Sequence, residues 1–173
     1  LAIRSLQWTS VLVADRVIFF GNDAYYHMRR ILYALGRFPE TLEFDRYVNF
    51  PQGAKVIWPP LFDVAIALLL RPFHQPSNED LVERIVIWIP PLLGALTVLV
   101  LFFLAKRTFG FAVAVVSSLI LSVLSAHAWY SQIGFVDHHA AVALFSTLLL
   151  ASAMDLFSEL SIGRDNRTNI FAK

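Results

Sequence analysis

Asp137, His138 and His139 stand consecutively where a polar stretch enters an apolar one. A carboxylate and imidazoles at such a boundary suit a divalent cation. Carboxylate oxygens favour Mg2+ or Mn2+, and imidazole tolerates Mn2+ well. Asp137 and His139 are separated by one residue, and from a helix start or an extended loop both side chains can reach one ion. The plainer reading is that polar side chains simply belong at an interface. A second constellation, GNDAYYHMRR over residues 21–30, sets Asp23 ahead of two tyrosines, His27 and the pair Arg29–Arg30. Structurally it reads as a capped interfacial helix with aromatic residues at headgroup level. Chemically, Asp23 gives a carboxylate to a metal or substrate while the basic residues meet an anionic phosphate.

Composition identifies the setting in which these residues must be held. The 173 residues are 57% hydrophobic and 16% charged, with a mean hydropathy of +0.61. A soluble domain carries about a quarter charged residues, so the expected solvent is a bilayer. A net charge of +1 gives no electrostatic case for nucleic acid. With no cysteine, disulfides and thiolate metal sites are excluded. The chain opens on Leu1 without a signal-peptide pattern and reads as a fragment lacking material at both ends.

Charges interrupt every apolar run in residues 1–58, so nothing there spans a bilayer, which takes about 20 apolar residues. A helix is expected over Asp23 to Leu35, capped by Asn22 or Asp23 and ended by Gly36. NFPQGAKVIWPP, punctuated by Pro51, Gly53, Pro59 and Pro60, reads as turns and extended chain. LFDVAIALLL (61–70) is apolar but short and contains Asp63, which suits a buried or interfacial helix. After the polar loop 74–80, Ser77 or Asn78 can cap the next helix.

Three spans are expected, at about 85–105, 109–127 and 139–157, with Pro90 and Pro91 kinking the first. Lys106–Arg107 lies between the first two, and the next basic cluster follows the third. The positive-inside rule makes that face cytoplasmic. Residues 1–80 then form a first external loop with an acidic motif and an interfacial helix. Residues 81–173 form the transmembrane region, with the second acidic motif in the external loop 128–138. Asp23 and Asp137 lie on one side of the membrane, provided 61–70 does not cross.

Taken together, GNDAYYHMRRI, NFPQGAKVIWPPLF and GFVDHHAA resemble the first external loop and second acidic motif of the oligosaccharyltransferase catalytic subunits (the Stt3, PglB and AglB family). The DHH form is most similar to archaeal and some bacterial members. The resemblance covers nearly the whole chain. It implies an all-α membrane protein, a fragment of a GT-C-type helical bundle with three transmembrane helices and a long first external loop carrying short interfacial helices.

The family's chemistry is transfer of a glycan from a polyprenyl phosphate or pyrophosphate carrier to asparagine in an N-x-S/T sequon, with Mn2+ or Mg2+ as cofactor. The implied partners are a polyprenyl-linked oligosaccharide, an acceptor polypeptide and the lipid bilayer. By resemblance, Asp23 contacts the metal and lies close to the acceptor amide. Asp137 and His139 form the metal-binding pair, and His138 helps to hold the lipid pyrophosphate. The implied location is the plasma membrane of an archaeon or bacterium, with the site on the external face. The WWDYG-like motif that reads the sequon, the later external loop and the soluble C-terminal domain lie outside this sequence, so the fragment alone is expected to be inactive.

Other classes stay in view. One is a different polyprenyl-sugar-dependent GT-C glycosyltransferase, although DHH before a later span argues against it. A cation channel or transporter would carry its polar residues within the spans, where His127 and, at the ends of the third, His139 and Asp155 are the ionisable residues. A non-catalytic membrane scaffold is the plainest alternative, and metal binding lost on Asp137→Ala would count against it. The Asn166–Arg167–Thr168 sequon falls on the expected cytoplasmic face and reads as chance.

Overall fold

The computed structural model describes residues 1–73 and 78–170, with side chains through 158. The side chains of the Asn166 sequon, and Ser77 as a cap, lie outside the described residues. A short helix, α1 (Trp8–Val11), leads into an antiparallel hairpin of β1 (Leu12–Val13) and β2 (Arg16–Val17). The two turn residues, Ala14 and Asp15, have φ of 46° and 66°, the left-handed pair that a tight two-residue hairpin needs.

Helix α2 (Asn22–Arg37) is longer than its sequence signals suggest. Its N-cap is Gly21, at φ 81°, a conformation that costs glycine nothing. Asn22 and Asp23 therefore lie inside the helix, and neither makes a side-chain cap. Asp23 still sits in the first turn, where the helix dipole favours a carboxylate. Gly36 remains helical, and the chain leaves the helix at Phe38, which is extended. Pro39 explains that exit, because a residue before proline is pushed out of the α region. The buried stripe Ala24, His27, Met28, Ile31, Ala34 and Leu35 follows helical spacing.

The segment expected to be turns and extended chain contributes β4 (Ala54–Lys55), which pairs over two residues with the preceding β3 (Phe44–Asp45). Helix α3 (Leu61–Leu70) then packs against α2, burying Asp63, Ile66, Ala67 and Leu70. Ten residues rise about 15 Å, half the thickness of a hydrocarbon core. Helix α4 (Glu79–Val86) starts at Asn78, whose side-chain amide donates to the carbonyl of Phe73.

Helix α5 (Ile89–Phe109) carries Pro90 and Pro91 in its first turn, where a missing N–H leaves no intrahelical bond unmade. Just before the prolines, Ile87 and Trp88 interrupt the run Glu79–Phe109 between α4 and α5. Glu79–Phe109 and His139–Ser158 are long and apolar enough to cross a membrane. The expected middle span divides into α6 (Phe111–Val123) and α7 (Ser125–Tyr130), because Leu124 is extended at φ −59°, ψ 120°. Helix α8 (His139–Ile170) begins at the expected residue. Helix α5 packs against both α6 and α8, and Arg107 of α5 forms an ion pair with Asp155 of α8.

One apolar core joins the amino-terminal elements to the loop before α8. Val11, Phe19, Met28, Ile31, Ile66, Val86, Ile87, Ile133 and Val136 are all buried in it. Backbone bonds hold that loop from three sides. Ile133 N–H donates to the Arg4 carbonyl (2.8 Å), Phe20 N–H to that of Gly134 (3.0 Å), and Gly134 N–H to that of Ile87 (3.3 Å). The Arg4 guanidinium adds a bond from Nε to Ser131 Oγ, 2.7 Å. Gly134 has φ 80°, and a Cβ there would lie 2.9 Å from Val11 Cγ2, so only glycine lets the loop lie this close to the core. The loop therefore delivers Asp137 to a fixed point over α2.

Candidate functional site

Asp137 is the hub of the site, and only 2% of it is exposed. Its Oδ1 accepts the His138 backbone N–H at 2.6 Å. The same oxygen lies 2.6 Å from His138 Nδ1 and 3.3 Å from His27 Nε2. Its Oδ2 lies 2.9 Å from His139 Nδ1. One buried carboxylate thus faces three imidazoles, two of them from its own chain neighbours at the start of α8. The His139 ring is stacked on Tyr130, centroid to centroid 4.7 Å.

The third imidazole comes from α2 and is backed by a second buried carboxylate. His27 Nδ1 is 2.6 Å from Asp63 Oδ1. Arg30, one turn along α2, lies with Nε 3.0 Å from Asp63 Oδ2; the distance is that of an ion pair, while the angle falls short of a hydrogen bond. Its NH2 group donates to the carbonyls of Trp58 and Pro59, at 3.1 and 3.2 Å. The order Arg30–Asp63–His27–Asp137 alternates in charge, which is what makes burying four ionisable groups tolerable.

Burial disfavours the charged His27 imidazole, yet its bonds to Asp137 and Asp63 prevail and raise its pKa from 6.5 to about 9. Burial likewise favours a neutral Asp137, but the hydrogen bond from His27 and the charges of His139, His138 and His27 hold its pKa down at about 2. The signs set a pH window. A raised imidazolium pKa stabilises the fold fully below pH 6.5 and loses that contribution up to about 9. The depressed Asp137 loses its contribution only as pH falls from 3.8 through about 2. With divalent cations chelated, thermal stability should fall between pH 6.5 and 9, and His27→Gln should flatten that slope. Parallel profiles for the two proteins would contradict the assignment.

The donor set suits a small divalent cation. His27, Asp137 and His138 offer ligand atoms that all lie within 4.8 Å of one another. Imidazole nitrogen with carboxylate oxygen is a combination that Mn2+ accepts.

The structure brings Asp137, His138 and His139 together. Asp23 is exposed at the start of α2, one turn before His27. Four residues apart on a helix is one face, at about 5–6 Å between Cβ atoms. Asp23 is thus beside the cluster, and among the described residues it forms no ion pair with it. Arg29 and Arg30 are engaged elsewhere. Arg29 holds Asp45 with two bonds of 3.0 and 3.1 Å and lies over the Tyr47 ring. Arg30 belongs to Asp63. The idea that this pair meets phosphate therefore gives way to a role in fixing the loop. Sequence reasoning missed the parts played by His27 and Asp63. The available signal was Asp63 itself, a carboxylate inside LFDVAIALLL, because a buried charge needs a partner.

Comparison with known proteins places this geometry in a family. Residues 12–156 match the family model described as oligosaccharyl transferase STT3, N-terminal. Dolichyl-phosphooligosaccharide-protein glycotransferase 1 of Archaeoglobus fulgidus is 32% identical over 142 residues, which is 78% of this chain and 22% of that protein. Dolichyl-monophosphooligosaccharide-protein glycotransferase AglB of Haloferax volcanii is 30% identical over 156 residues, 88% of this chain and 15% of that protein. A crystal structure of the Archaeoglobus fulgidus oligosaccharyltransferase in the apo form superposes with a TM-score of 0.76 at 26% identity, covering 86% of this chain and 17% of that one. The chain spans about a fifth of the length of these relatives. With its second acidic motif and its core inside the matched residues, the chain belongs to the STT3 oligosaccharyl transferase family and corresponds to that family's N-terminal region.

Proposed function

We propose that this chain is the N-terminal part of an oligosaccharyltransferase catalytic subunit. The complete enzyme moves a glycan from a polyprenyl phosphate or pyrophosphate carrier to asparagine in an N-x-S/T sequon. One observation carries the reading: a buried carboxylate held among three imidazoles sits just before the start of an apolar helix long enough to cross a membrane. A lipid-linked donor keeps its lipid in the bilayer and its sugar in water, so its reacting phosphate lies at such a boundary.

The metal ligands are Asp137 and His139, joined by Asp23, and His138 faces the lipid pyrophosphate. Mn2+ or Mg2+ bound there would neutralise charge developing on the phosphate leaving group. The chain's own residues do the rest. Asp137 stays ionised because the imidazoles around it favour its charge. The loop 131–138 carries Asp137 and α2 brings His27 against it. The exposed Asp23 accepts a hydrogen bond from the acceptor carboxamide, whose nitrogen is a poor nucleophile while its lone pair is delocalised.

Three spans fit this reading: α5, then α6 continued through α7, then α8. The site lies on the external face of the plasma membrane of an archaeon or bacterium, with 1–80 as the first external loop and 128–138 as the second. Asp23→Ala in the complete enzyme should reduce glycopeptide formation about 100-fold or more while leaving the protein folded. Near-normal transfer by that variant would remove Asp23 from the mechanism.

A further inference from the structure

The buried half of the site has no part in the reaction as set out above. His27 and Asp63 are 36 residues apart and come from different helices, yet their side chains meet at 2.6 Å with both residues nearly fully buried. A carboxylate facing Nδ1 keeps the proton on that nitrogen and turns Nε2 the other way. Nε2 then points at Asp137 Oδ1, 3.3 Å away, and at His138 Nδ1, 3.4 Å away. Both distances exceed the usual N–H···O length of about 2.9–3.0 Å. The distance to Asp137, an assigned ligand, falls at the spacing of neighbouring donor atoms around one small cation, about 3.0–3.4 Å when each bond is about 2.1 Å. Asp63 is itself held in place, because Arg30 lies 3.0 Å from its other oxygen and is tied to two backbone carbonyls.

We propose that His27 is an additional nitrogen ligand of the cation at Asp137, and that Asp63 is the positioning residue that presents it. The inference rests on the reading that a divalent cation binds at Asp137. A carboxylate behind a ligating imidazole fixes its tautomer and raises its basicity, and losing one costs about 10–100-fold in metal affinity. Arg30 completes the arrangement by balancing the charge of Asp63 when the cation displaces the Nε2 proton to solvent.

Mn2+ added to the complete enzyme in detergent reports on this directly. Titration followed by electron paramagnetic resonance gives the affinity, and pulsed measurements give the nitrogen couplings of bound imidazoles. His27→Gln should lower the affinity about tenfold or more and remove one nitrogen coupling. Asp63→Asn should lower it about 10–100-fold. In a His27→Gln background, Asp63→Asn should add nothing further, an outcome that a merely structural carboxylate would not give. Wild-type couplings and affinity in His27→Gln would overturn the inference, and that variant keeps the test decisive if Asp63→Asn misfolds. If Asp137→Ala loses Mn2+ while His27→Gln keeps every coupling, this inference fails alone. If the wild-type enzyme binds no Mn2+, the metal reading fails and takes the inference with it.

Discussion

Asp137→Ala in the complete enzyme is expected to cut glycan transfer about 100- to 1,000-fold or more and to weaken Mn2+ binding with it. Among the described residues, Asp137 is the one that forms an ion pair with all three imidazoles, with contacts of 2.6, 2.9 and 3.3 Å. Removing it leaves His27, His138 and His139 without the charge that holds them. It also removes the acceptor of the His138 backbone N–H at the start of α8. The carboxylate is nearly fully buried among the imidazoles. Transfer to a sequon peptide, quantified as glycopeptide against expression level, checks the expectation. Asp137→Glu separates charge from reach, because it keeps the carboxylate and displaces it by one methylene. An alanine variant with near-normal turnover would exclude Asp137 from the catalytic centre.

The second large effect is on stability. Asp63→Ala should destabilise the protein by about 3–5 kcal/mol, the cost of removing one partner from a buried ion pair. Two cationic groups, His27 and Arg30, now flank Asp63 at 2.6 and 3.0 Å. Without it Arg30 loses its carboxylate and His27 keeps only the longer contact to Asp137, inside the packing of α2 against α3. A domain's whole stability is about 5–15 kcal/mol, so the loss is a large fraction. The complete protein carrying Asp63→Ala should melt at clearly lower temperature in detergent and accumulate less in membranes. Melting that matches wild type would mean that the network contributes little to the fold. Asp63→Asn keeps the shape and removes only the charge, so its smaller loss of stability leaves its metal affinity measurable.

What could be read from the sequence was what is local. The three residues of DHH are adjacent, and the polar-to-apolar change at His139 marks the start of α8 without any tertiary information. Asp63 inside an apolar decamer marked α3 as a helix with a buried obligation, though not who would meet it. Its partner lies 36 residues away on α2, and no periodicity rule reaches that far. The bond between Arg29 and Asp45 was hidden in the same way, so two arginines that looked free for phosphate were already engaged. Helix ends failed for local reasons of a different kind. Gly21 took the cap position from Asn22 through its positive φ, and Pro39 rather than Gly36 set the exit from α2. The break at Leu124 carries no proline or glycine, so nothing in the residue types announces it.

The most direct measurement is glycan transfer by the complete, purified enzyme from a polyprenyl-linked oligosaccharide to a sequon peptide, with and without a chelator. Glycopeptide should form with Mn2+ present, stop when EDTA removes it, and return when Mn2+ is added back. Transfer that continues unchanged in EDTA would contradict a metal centre at Asp137. An enzyme that binds Mn2+ but forms no glycopeptide from any polyprenyl-linked donor would contradict the function itself.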